Sequence, residues 1–176
     1  MTKKKQHNQP IKQLSPNEYI KTKARSLPIY KCFINSYWLH SALTVILVAR
    51  QHPNGHFTIG IYRIDTFSRG LFKSYAIFNR DKDSYDRLVE CIVPKDCEFG
   101  TVVEIDYTLA HNVIYGAEAL AKTNGYKPDK AFEISKYILM ENDGSVEYIE
   151  INFGKNATRE RDMKDNDGVD DYLNDF

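Results

Sequence analysis

The chain has 176 residues, with 24 basic and 24 acidic side chains, 42% apolar and 12% aromatic residues. One core usually serves a chain of this length. The balanced charge excludes a bulk attraction to polyanions or membranes, and the aromatic content excludes a wholly disordered protein. The longest apolar run, residues 43–49, falls far short of the roughly 20 residues that a membrane-spanning helix needs.

Residues 1–14 hold Lys3, Lys4, Lys5 and Lys12 and no acidic residue, a composition expected of a basic, disordered tail. No apolar stretch or small-residue cleavage site follows, so the expected compartment is the cytoplasm. Ser15-Pro16-Asn17-Glu18 is a helix start: the serine caps free N–H groups, proline suits the first position and Glu18 completes a capping box. The predicted helix, 16–26, ends before Leu27-Pro28, and 29–34 reads as a short strand.

Residues 43–50 are rich in β-branched side chains, Asn54-Gly55 is a hairpin turn pair, and 57–65 resumes strand character. A third strand, 71–78, follows the break at Ser68-Arg69-Gly70 and completes an antiparallel meander. In the second strand Phe57, Ile59, Ile61, Arg63 and Asp65 share one face and Thr58, Gly60, Tyr62 and Ile64 the other. Both faces begin apolar, so the sheet is expected to be covered on both sides there, with one face turning charged toward the strand's end.

Asp83-Ser84 are read as the cap of a short helix reaching Ile92, and 94–100 as a connection. Asp106 then caps the best helix, in which Leu109, Val113, Ala117 and Leu120 form an apolar stripe ending at Asn124-Gly125. A further helix from Asp129 to Met140 and a final strand over 146–153 complete the order. Helices and meander strands in this arrangement predict an α+β domain over 15–154. Residues 155–176 form an acidic tail, since Glu160, Asp162, Asp165, Asp167, Asp170, Asp171 and Asp175 outnumber the basic residues there. Its Tyr172, Leu173 and Phe176 could form a docking motif; a frayed end is the blander reading.

Leu27-Pro28-Ile29 with Cys32 and Asn35, the Asn54-Gly55 hairpin followed by Ile64-Asp65, the run from Ala110 to Ala117 and Gly125-Tyr126-Lys127-Pro128 resemble an uncharacterised family of small bacterial proteins with no assigned activity. The resemblance spans about residues 27–154 and implies no chemistry. This chain departs from the family pattern at Ser68, where a cysteine is frequent, and after Gly154, where Lys155-Asn156-Ala157-Thr158 replaces a glycine-rich extension.

No phosphate-binding glycine loop, Gly-x-Ser-x-Gly elbow or His-Glu-x-x-His pair is present. Asp65, at a strand end, could share Mg²⁺ with Glu104 or Asp106 as a nuclease would. The blander reading is that Arg63 and Asp65 make a local ion pair or cross-strand contact, with Asp106 a helix cap. His111 could serve as a neutral base near a helix N-terminus, or simply be a half-exposed residue bonded to a loop. His52 and His56 bracket the hairpin turn and could bind a metal, although an exposed tip is the plainer expectation. Cys32, Cys91 and Cys97 are an odd set without a Cys-x-x-Cys pair and read as buried, reduced thiols.

The basic start, continued by Lys21, Lys23, Arg25 and Lys31, and the interleaved basic and aromatic run 69–78 suggest a nucleic-acid surface. The run faintly resembles the aromatic strand of an RNA-recognition fold, but that fold needs a helix between its first two strands. The blander reading is a core strand with Phe72, Ala76 and Phe78 inward. These features together predict a non-catalytic interaction module, without cofactor, that binds a protein or RNA through Arg63, Arg69, Lys73 and Tyr75. The alternative is the Mg²⁺-dependent nuclease built on Asp65 with Glu104 or Asp106.

Overall fold

The computed structural model describes residues 14–92, 100–127 and 129–154. The predicted tails save Leu14, the connection at 94–100 save Gly100, and Cys97 lie outside them. Helix α1 (Pro16–Lys23) starts with the expected reciprocal cap between Ser15 and Glu18 and ends in a 3-10 turn, Ala24–Ser26. Strands β1 (Ile29–Asn35), β2 (Leu43–Gln51), β3 (Phe57–Asp65) and β4 (Gly70–Arg80) follow. Then come α2 (Lys82–Cys91), β5 (Val102–Ile105), α3 (Tyr107–Thr123) and a single-turn α4 (Phe132–Ser135) that runs into a 3-10 turn, Lys136–Ile138. The strands form one antiparallel sheet in the order β4-β3-β2-β1-β5. The domain is α+β.

The two faces of the sheet are unequally covered. On one, Cys32, Ile34, Ile46, Val48, Tyr62 and Ile64 pack against Ala110, Val113, Ile114 and Ala117 of α3 and against Ile20, Phe132 and Leu139. Each large aliphatic side chain buried there contributes about 1.5–3 kcal/mol. On the other, Tyr85 and Ile92 close over Leu47, Ala49, Phe57 and Ile59. A helix of ten residues is about 15 Å long, whereas the nine-residue β2 and β3 run to about 30 Å. Among the described residues the burial on this second face is deepest toward the Phe57 end, as the apolar-to-charged gradient along β3 predicts.

Several predicted elements take another form. The cap of α2 is Asp81, whose carboxylate accepts from Ser84 N–H, rather than Asp83. Strand β5 falls in a stretch without a predicted strand and pairs with β1 at the far edge. Asp106 stands at the N-terminus of α3 but makes no side-chain cap bond.

The predicted helix 129–140 shortens to α4 and its 3-10 turn because the chain there is held by side chains from elsewhere. Tyr62 hydroxyl donates to Ser135 O, Arg25 Nε to Leu139 O and Tyr115 hydroxyl to Met140 O, while Tyr107 oxygen accepts from Met140 N–H. Arg50, 2% exposed, is central: its Nε donates to Ile138 O and its Nη1 to Arg25 O and Leu27 O. One guanidinium thus ties β2 to two irregular segments that are distant in sequence.

The predicted final strand does not form: residues 147–153 have no regular structure and join no sheet. Residues 145–154 cross α3, where the Asn112 side chain substitutes for a neighbouring strand: its Nδ2 donates to Glu147 O at 2.8 Å and its Oδ1 accepts from Ile149 N–H at 3.1 Å. Phe153 lies over Gly116, where an added Cβ would stand 2.4 Å from the ring. Gly154 N–H then bonds Thr66 O at 2.8 Å, so the described chain ends beside the β3–β4 turn. On the outer edge of β4, Ser74 N–H donates to Asp129 Oδ2.

Candidate partner-binding face

Arg63 and Lys73 are directly opposite each other on β3 and β4, and Ile61 faces Tyr75 one step further along. Period-two alternation puts all four, with Leu43 and Val45 of β2, on the sheet face that α2 covers in part. Arg63, Lys73 and Tyr75 are exposed. Lys73 Nζ stands 5.7 Å from the Tyr75 ring centroid, a cation–π arrangement that spreads the ring beside the charge. Among the described residues neither Arg63 nor Lys73 has a carboxylate ion-pair partner. Beside them a groove of about 270 Å³ runs between sheet and helix, floored by Val45, Ile61 and Ile77 and walled by Tyr75, Leu88 and Ile92.

Arg69, the fourth residue of the predicted contact set, is exposed in the β3–β4 turn, and its guanidinium carbon lies 5.2 Å from the Phe72 centroid. Phe72 is half-buried, while Ala76 and Phe78 pack on the main core. The helix wall of the groove was not among the predicted site residues. Its signal was the spacing Tyr85, Leu88, Ile92, an apolar stripe at three and four residues on α2.

Asp65 is engaged in its own turn. Its Oδ1 accepts from Phe67 and Ser68 N–H and its Oδ2 from the Ser68 hydroxyl. Partial burial pushes its carboxyl up, but these bonds and the Arg69 N–H outweigh that and hold it below the ordinary carboxylate value. Of the two forms of the blander reading, the Arg63–Asp65 ion pair is not formed among the described residues, while Arg63 and Asp65 do face Lys73 and Leu43 across the strands.

Glu104 is on β5, separated from β3 by β1 and β2, and pairs with Lys31 at 2.5 Å. The sheet therefore does not bring Asp65 and Glu104 together, and Asp106 lies one residue beyond β5 on the same remote edge. Among the described residues no group of three or more His, Cys, Asp or Glu side chains is arranged to hold a metal ion.

The histidines differ from expectation. His111 is buried, 3% exposed, between the Tyr107 and Tyr115 rings. Burial, more than the helix terminus, lowers its pKa, against the opposing pull of the Met140 and Glu141 carbonyls and Asp143. His52 is also buried rather than on an exposed tip: its Nε2 is 2.7 Å from the Thr58 hydroxyl and its ring stacks on Tyr19. Burial, then the charge of His56, lowers its pKa as well.

Because both folded values lie below the ordinary value of 6.5, the unfolded chain binds protons first as pH falls. Stability is unaffected by these groups well above 6.5 and is lost progressively below it, by at most about 1.4 kcal/mol per pH unit for each histidine. Urea unfolding between neutral pH and the mid-fives is expected to show this slope, and His52→Gln or His111→Gln to flatten it; a slope unchanged in both variants would contradict the assignment.

The cysteines divide. Cys32 is buried and its thiol is pushed up to about 12 by that burial, which leaves it protonated at neutral pH. Cys91, expected to be buried, is exposed at the end of α2.

No family model, curated protein or solved structure matches the chain. Among the described residues no helix is long and apolar enough to cross a membrane.

Proposed function

We propose that this chain is a small non-catalytic interaction module that grips a protein partner on the sheet face that α2 covers in part. Apolar side chains of the partner enter the groove over Val45, Ile61 and Ile77, and acidic ones pair with Arg63 and Lys73. The observation that carries this reading is the combination on one sheet face of an apolar groove, two cations without ion-pair partners among the described residues, and the exposed Tyr75. Patches with an apolar centre and a charged rim are how protein surfaces bind one another, and tyrosine and arginine are frequent anchors. The same cations would attract RNA. Single-stranded RNA, however, is held by successive aromatic rings, whereas this groove has an aliphatic floor and one exposed ring beside it.

The test is recovery of partners from lysate with the tagged chain and with its Arg63→Glu/Lys73→Glu variant, each with and without RNase. One stoichiometric protein is expected, insensitive to RNase and lost in the double variant. Tyr75→Ala is expected to weaken capture about tenfold, the scale of an interface anchor. Recovery that RNase abolishes would replace the protein reading with an RNA one. Capture indifferent to the double variant would remove this face from the function.

A further inference from the structure

Strands β3 and β4 are not in even register, and the irregularity lies at the cations. Starting from Asp65 opposite Gly70 and Ile64 opposite Leu71, an even ladder would set Arg63 opposite Phe72. Lys73 stands there instead, and the shifted register continues through Tyr62–Ser74 and Ile61–Tyr75 to Ile59–Ile77. Phe72 is therefore one extra residue in β4, a β-bulge, the device by which a strand re-aims its side chains.

Because side chains alternate along a strand, one extra residue decides which face each later side chain takes. In even register Lys73 would lie opposite the buried Tyr62, and Tyr75 opposite Gly60. With the bulge, Ser74 is the residue that is buried, and Lys73 and Tyr75 come out on the face of Arg63.

The result is a like-charge pair. Directly opposed residues on neighbouring strands have Cβ atoms about 4.5–5.5 Å apart, and two charges of one sign at that spacing destabilise a sheet. A third cation stands at the same irregularity, the Arg69 guanidinium carbon lying 5.2 Å from the ring centroid of Phe72. None of the three has a carboxylate ion-pair partner among the described residues. Asp65, two residues along β3 on that face, gives its oxygens to Phe67 and Ser68.

Doubled positive charge without a partner suits a doubly charged anion. A carboxylate brings a single charge, and its two oxygens are taken by one guanidinium fork. A phosphate monoester brings about −1.5 to −2 at neutral pH and three acceptor oxygens, enough for the Arg63 fork and the Lys73 ammonium together. Arg63 also lines the apolar groove, beside Ile61 and Ile77. A ligand that fits both parts carries a phosphate and aliphatic side chains within a few residues of each other, as a phosphorylated peptide does and a nucleic acid does not.

We infer that the Arg63–Lys73 pair is the receptor for a phosphorylated side chain of the protein partner, with Arg69 at its margin and the partner's neighbouring apolar side chains in the groove. The inference rests on the partner-binding reading for the occupant's being a protein, and adds the modification that turns the contact on.

The experiment measures binding of the full chain, by fluorescence anisotropy, to a synthetic peptide with a central phosphoserine flanked on both sides by leucines and glycines. The phosphorylated peptide is expected to bind at least about tenfold more tightly than its unphosphorylated form, an advantage that shrinks as salt is raised. Arg63→Gln and Lys73→Gln are each expected to remove most of that advantage, and serine in place of the leucines to weaken both forms alike. Lys73→Glu sets a carboxylate opposite Arg63; it is expected to abolish the preference for phosphate while raising the urea midpoint, so that lost binding is not lost folding.

Equal affinity for the two peptides would overturn the inference, as would a phosphate preference that survives both glutamine variants. Inorganic phosphate bound as tightly as the phosphopeptide would reduce the pair to a free-anion site, and tighter binding of single-stranded RNA would replace the peptide; either result overturns it. Phosphatase treatment of the lysate separates this idea from the partner reading. Capture that survives phosphatase yet is lost in the Arg63→Glu/Lys73→Glu variant removes only the phosphate, whereas phosphate-dependent peptide binding with capture indifferent to that variant removes only the partner reading.

Discussion

Replacing Arg50 with alanine is expected to destabilise the fold by about 3–5 kcal/mol, a large share of the stability of a domain this size. The guanidinium donates to the carbonyls of Arg25, Leu27 and Ile138. A buried acceptor that loses its donor costs about 1–3 kcal/mol, and alanine also leaves a cavity beside Tyr62 and Cys32. Relief of the charge's own desolvation offsets part of this; burial already draws the guanidinium's pKa below its ordinary value.

Urea unfolding measures the loss. Hydrogen exchange adds its location, since amides over 134–141 should lose protection before those of β2 and β3. Arg50→Lys, whose ammonium lacks the planar fork, is expected to recover only part of the stability. A loss below about 1 kcal/mol in the alanine variant would mean that these carbonyls find other donors.

The second large effect is expected at Gly70, which opens β4 with φ +63°. An alanine Cβ there would lie 2.1 Å from Ala117 O and 2.6 Å from Ala121 N, both backbone atoms of α3 that no rotamer change can move aside. The left-handed conformation costs a residue with a side chain about 1–2 kcal/mol, and overpacking against a helix adds about 1–3 kcal/mol. Gly70→Ala is thus expected to lose about 2–5 kcal/mol. Gly55→Ala is the internal control: its φ is +80°, yet nothing lies within 4 Å of the added atom, so it bears only the conformational cost. Equal midpoints for the two variants in thermal or urea unfolding would show that α3 yields at Gly70.

Much of the fold was legible because it is encoded locally. The capping box at Ser15, the Asn54-Gly55 turn and the two alternating faces of β3 each place an element without reference to the rest of the chain. What sequence reasoning missed depends on distant partners. Strand β5 is four residues long and acquires its identity only by pairing with β1, some seventy residues earlier. The alternation over 146–153 predicts a strand that does not form; instead Glu147 O and Ile149 N–H bond the Asn112 side chain on a helix.

At the candidate site, Arg63, Lys73 and Tyr75 were legible as one surface from strand parity. The groove beside them was not, because it needs α2 laid across the neighbouring strands. His52 was read from its place near a turn, whereas Tyr19 and Phe78 arrive from elsewhere to enclose it.

The carboxylate of Asp129 on Ser74 N–H has a consequence for how copies of this molecule avoid sticking together. Outermost strands offer rows of free backbone groups that can recruit another chain edge to edge. Here one border, β5, is only four residues long, and the other, β4, is interrupted by register shifts, turned by Asn79 at φ +52° and stoppered in its middle by an acidic side chain. A sheet finished in this way resists lengthening into a fibril. Its associations are directed to its flat side, where side-chain chemistry can choose between partners, and away from its borders, where any extended peptide would serve.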